Sequence, residues 1–123
     1  FYNDQQPDKI FYQGLALRKL GRNEEAEHRF KNLISYGKEH INDDVKLDYF
    51  AVSLPDLLIW KEDLNVRNNI HCQYLVGLGE LGLGNTKEAI SAFTKILDKD
   101  KYHLPAFVHL DMAKKWNQQY QDI

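Results

Sequence analysis

Cysteine is nearly absent. Cys72 stands alone among 123 residues, so no intrachain disulfide is possible, and a reducing compartment, the cytoplasm, is expected. Charge of one sign is lacking as well. The 16 basic and 18 acidic residues are interspersed and leave a net charge of −2, which is no footprint for nucleic acid or an anionic membrane. No apolar run approaches the roughly 20 residues that span a bilayer. The chain opens on Phe1 rather than methionine, without a basic-then-apolar leader, and is expected to be part of a longer polypeptide.

Chemistry-bearing constellations are also missing. His71 and Cys72 are adjacent and diverge by about 100° on a helix, and His103 and His109 are six apart, so neither pair converges on a metal. No metal and no cofactor is expected, the histidines are read as satisfied structural residues, and Cys72 as a small apolar residue. The acidic groups Glu24-Glu25-Glu27, Asp43-Asp44 and Glu62-Asp63 sit at predicted helix starts, where the macrodipole favours negative charge. With no sign of a catalytic carboxylate pair, the chain is not expected to be an enzyme.

What is present is a repeat. Gly14, Leu15, Leu20, Gly21, Glu25, Ala26 and Phe30 return 63 residues later as Gly77, Leu78, Leu83, Gly84, Glu88, Ala89 and Phe93. The spacing predicts two helix–turn–helix units. The first runs from Pro7, tolerated in a first helical turn, to a break at Gly21, followed by a helix over Glu24–Lys38. The second has a helix from about Asn65 to Leu81, a break at Gly82–Gly84, and a helix from Thr86 to Leu97. Asn85 and Glu88 have capping-box spacing. Glycine inside a helix costs about 1 kcal/mol against alanine, so its repetition at Gly14 and Gly77 predicts a position without room for a side chain. Ala26 and Ala89 on the facing helices would allow close approach, with Phe30 and Phe93 closing the far end.

These residues resemble the tetratricopeptide repeat, a 34-residue helical hairpin. Gly14, Gly21, Ala26, Phe30 and Leu33 fit its pattern in the first unit, and Gly77, Gly84, Ala89, Phe93 and Ile96 in the second. Gln73 departs from it, since the family often has an aromatic there, and Lys38 and Lys101 replace the terminal proline. The resemblance implies an all-α fold: a superhelix of helical hairpins over 7–40 and 64–99, an inserted helical segment over 41–63, and a capping helix within 103–118. The last helix is expected over Leu104–Gln118, with a fraying tail over Asn117–Ile123 and an exposed Asp111 in the position of the repeated glycine.

The insertion contains the most apolar stretch of the chain, Tyr49–Trp60. Its Ser53 and Asp56 flank Pro55 with capping spacing, which predicts a short helix through Leu57-Leu58-Ile59-Trp60 and another through Val45–Val52. Asp48–Asp56, followed by Asn69-Ile70-His71-Cys72, is similar to the C-terminal repeat region of large bacterial proteins that carry a β-rich domain like that of galactose mutarotases. That resemblance implies an accessory domain of a carbohydrate-active protein whose catalytic part lies elsewhere.

The tetratricopeptide resemblance also places helix-A positions on a concave partner-binding face. Carried over, the candidates are Phe11, Leu15, Arg18, Lys19, Tyr74, Leu78, Val108 and Met112. The lysines and asparagines that clamp a terminal carboxylate in chaperone-binding members are mostly missing, so that clamp is rejected. An apolar, aromatic surface remains. It would serve as a groove for an amphipathic helix or apolar peptide, or it would be covered by Phe50, Leu54, Leu57 and Trp60 of the insertion. Arg18, Lys19 and Lys115 would form a polar rim. The expected function is a non-catalytic scaffold binding a protein segment or another domain of the same parent chain.

Overall fold

Helix starts and stops follow the punctuation of the sequence. The computed structural model describes residues 6–43 and 55–121, and within them the chain is helical without any strand. The elements are α1 (Pro7–Lys19), α2 (Asn23–His40), α3 (Pro55–Gly82), α4 (Thr86–Lys99) and α5 (Leu104–Gln121). Pro7 opens α1, with Asp8 in the first turn and Arg18 and Lys19 in the last, each charge matched to the helix dipole.

The two hairpin turns are alike atom for atom. Gly21 and Gly84 take φ of 81° and 86°, left-handed values that only glycine adopts cheaply. In the first turn the Gly21 N–H donates to the Arg18 carbonyl (3.0 Å) and the Arg22 N–H to the Leu17 carbonyl (2.9 Å). In the second, Gly84 donates to Leu81 (3.1 Å) and Asn85 to Glu80 (2.9 Å). Both are Schellman closures, displaced by the same 63 residues as the sequence repeat.

The hairpin cores repeat too. A Cβ built on Gly14 would lie 2.5 Å from the Phe30 ring, and one on Gly77 would lie 2.5 Å from the Phe93 ring. The phenyl rings thus occupy the space the glycines vacate, instead of closing the far end of each hairpin. Ala26 and Ala89 are buried alongside. Between the hairpins, α2 lies antiparallel to α3, and a Cβ built on Gly37 would lie 2.6 Å from the Cys72 carbonyl while one on Gly79 would lie 2.6 Å from that of Phe30. The Phe30 ring reaches Gly82 as well, so it bridges its own hairpin and the next.

Four local expectations are corrected. α3 is one 28-residue helix, about 42 Å long, rather than a short helix near Pro55 followed by another from Asn65. Between Asp56 and Val76 the sequence has no glycine or proline to stop it, so the expected boundary at 64 falls inside the helix. Glu62 and Asp63 consequently sit in a helix interior, where Asp63 pairs with Arg67 at 3.1 Å. The Asn85 side chain makes no cap bond, because its backbone N–H is already taken by Glu80 and its ψ of 68° is not extended. Lastly, α5 continues to Gln121, past the Asn117 where fraying was expected. The helix expected over Val45–Val52 lies outside the described residues.

Candidate functional site

The concave positions do converge, and they converge on each other. Phe11 on α1, Tyr74 and Leu78 on α3, and His109 on α5 are all buried in the main core. Leu15 and Met112 are partly buried against it, while Val108 and Lys19 are exposed. The helices α1, α3 and α5 bring bulky rings together, and the rings fill the space between these helices. Phe11, Tyr74 and Leu78 therefore form no open lining. The side chains of Phe50, Leu54, Leu57 and Trp60 lie outside the described residues.

His109 is the hub. It is 3% exposed, and rings of Phe11, Tyr12, Tyr74 and Phe93 surround it at centroid distances of 5.7, 5.9, 5.7 and 6.2 Å. Its Nδ1 lies 2.8 Å from the Pro105 carbonyl, which can only accept, so Nδ1 carries the proton. Its Nε2 hydrogen-bonds the Tyr12 hydroxyl at 3.0 Å, a tie across 97 residues. The Tyr74 hydroxyl donates to the Asp8 carboxylate at 2.5 Å and lies 3.2 Å from Nδ1. An Asp–Tyr–His–Tyr chain thus stitches α1, α3 and α5 together. His103 is satisfied separately, accepting the Ala106 N–H at 3.1 Å at the start of α5.

Burial, then the bond to and charge of Asp8, push the Tyr74 phenol far above its ordinary range, so it cannot act as a base near neutrality. Tyr12 is raised too, by burial and then by Asp8. A folded-state pKa raised above the unfolded value of about 10 stabilises the fold fully below pH 10 and is lost as pH rises beyond it. Stability is expected to fall by about 1.4 kcal/mol per pH unit above pH 10 through Tyr74. Thermal melts between pH 8 and 11.5 check this: Tyr74→Phe should flatten the slope, and an unchanged slope would refute the assignment.

Arg18 has a role that a rim cation does not. Its guanidinium donates to the Gly82 carbonyl at the end of α3 and lies 5.2 Å over the Phe30 ring. It pins the first hairpin to the second, satisfying a last-turn carbonyl with positive charge. Its counterpart in the second unit is Leu81, so the repeat gave no hint of this bond.

His71 is half-buried, and that burial lowers its pKa. Cys72 is 1% exposed and its thiol is pushed up to about 11, by burial first and Asp43 second. It should resist a disulfide reagent such as Ellman's in the native state and react at once in denaturant; rapid native labelling would contradict its burial. Among the described residues, no group of three or more His, Cys, Asp or Glu is arranged to hold a metal ion, and no helix is long and apolar enough to cross a membrane.

Open surface lies along α5 and over α3. At the end of the array, Phe107 is 61% exposed, whereas Ile10, at the same position in the first unit, is 5% exposed beneath α2. Asp111, in the glycine position, is exposed and paired with Lys115 at 2.9 Å. On the other side, a cleft of about 360 Å3 lies over α3 between α2 and α4. No protein-family model matches the chain, and no solved structure matches it.

Proposed function

We propose that this chain is a non-catalytic interaction scaffold of tetratricopeptide type, binding a protein segment or a neighbouring domain of its own parent chain. One observation carries the reading. The glycine–phenylalanine packing and the Schellman turn both recur at the 63-residue offset, so the chain is built of stacked hairpins with one plan. Stacked hairpins bury a continuous core and leave long helical surfaces for partners. In this reading α5 is the capping helix, the segment after α2 is an insertion, and the cytoplasm suits the lone, buried Cys72. The carbohydrate-linked alternative draws on Asp48–Asp56, mostly outside the described residues, and on Asn69-Ile70-His71-Cys72 within α3, where Cys72 is buried and Asn69 accepts from Lys99.

With the concave positions filled, binding is assigned to the exposed faces. The test is selection of a displayed library of 16-residue peptides on the folded chain, followed by calorimetry on the enriched sequences. Reproducible enrichment with saturable binding is expected. Failure of any sequence to enrich would remove the scaffold reading.

A further inference from the structure

The cleft over α3 departs from the repeat at one residue. Ile10, Gln73 and Phe107 share a register, at offsets of 63 and 34, and only Gln73 is polar. It is half-buried and lines the cleft, with Val76 and Ala92 beside it. A larger apolar side chain at 73 would fill this space; glutamine leaves it open, its amide without a partner among the described residues.

The charges around the cleft are sorted by end. α2 and α4 both run antiparallel to α3, as the contacts Gly37–Cys72 and Gly79–Phe30 on one side and Gly77–Phe93 on the other require. Lys38 and Lys95 therefore stand near Gln73, and Glu80 with Glu88 stands about 10 Å further along, two helical turns away. Among the described residues, some surface charges elsewhere pair within helices, as in Lys31–Glu27 at 3.0 Å, Arg67–Asp63 at 3.1 Å and Lys115–Asp111 at 2.9 Å, and others stand alone. Lys38, Lys95, Glu80 and Glu88 have no such partner among the described residues.

We infer that this cleft seats an amphipathic helix of a partner protein, apolar stripe on Val76 and Ala92, an acidic residue at Lys38 and Lys95, and a basic residue two turns away at Glu80 and Glu88. A helix satisfies its own backbone, so only side chains must match the groove, and a seven-residue spacing reproduces the distance between the two charged ends. Opposite charge fixes register and excludes wrong partners. The inference rests on the scaffold reading and assigns it a surface.

The displayed-peptide selection also tests this surface. Enriched sequences are expected to carry an acid and a base seven residues apart around an apolar stripe. Fluorescence anisotropy with a labelled enriched peptide should show affinity falling at least about tenfold in the Lys38→Glu/Lys95→Glu variant, and returning when the peptide's acidic residue is made basic. Gln73→Phe should abolish binding by filling the cleft while circular dichroism stays unchanged. Peptides without that charge pattern, or an affinity that neither variant alters, would place binding elsewhere; the cleft assignment would fall and the scaffold reading stand. No enrichment at all overturns both. Sedimentation runs alongside: a dimer that Lys38→Glu/Lys95→Glu dissociates would assign the cleft to a second copy and overturn the proposal.

Discussion

Truncating Phe30 to alanine is expected to cost about 3–5 kcal/mol of unfolding free energy. The ring is fully buried and touches Gly14 in its own hairpin, Gly82 in the next, and Phe11 at a centroid distance of 6.0 Å. Arg18 lies across it as well. Two glycine surfaces with no side chain to swing inward line the resulting void, so the site cannot collapse and the cost belongs near the top of the range. Urea denaturation measures it: a lower midpoint with an unchanged slope is expected. A loss below about 1 kcal/mol would mean that Phe30 does not join the hairpins as described.

The second large effect concerns the facing glycines. Gly77→Ala should gain about 1 kcal/mol from helix propensity alone. The added methyl, however, would sit 2.5 Å from Phe93, a fully buried ring walled by Tyr74 at 6.0 Å and His109 at 6.2 Å. Overpacking of that kind costs about 1–3 kcal/mol, so a net loss is expected. Pairing Gly77→Ala with Phe93→Leu tests the cause, because the smaller side chain makes room. The double variant should lose less than the sum of the two single losses. Simple additivity would show that the glycine and the ring are independent.

These same residues explain what could be read without coordinates. Gly14, Gly21, Ala26 and Phe30, with their copies at offset 63, act locally or within one hairpin, so their spacing alone marked helices, turns and close approach. The tetratricopeptide resemblance, carried over by position, placed Phe11, Tyr74 and the His109 helix on one face. Whether that face was open depended on how far the helices splay and on the volumes meeting there, and neither quantity lies in one helix's pattern. Arg18 illustrates the limit: its bond to the Gly82 carbonyl crosses hairpins and breaks the repeat. The unbroken α3 has a simpler cause: the expected short helix through Leu57-Leu58-Ile59-Trp60 and the one from about Asn65 are a single helix, and the boundary between them came from the hairpin register, not from any glycine or proline in the sequence.

Closure of the face shared by α1, α3 and α5 upon itself is the central claim, and the Tyr12–His109 contact tests it most directly. Nuclear Overhauser spectroscopy on the intact chain should give cross-peaks between the Tyr12 ring protons and the His109 imidazole, 97 residues away. The Tyr74 ring signals should also be shielded from a soluble paramagnetic agent. Absent cross-peaks, together with strong broadening of Tyr74, would mean an open groove and contradict the account.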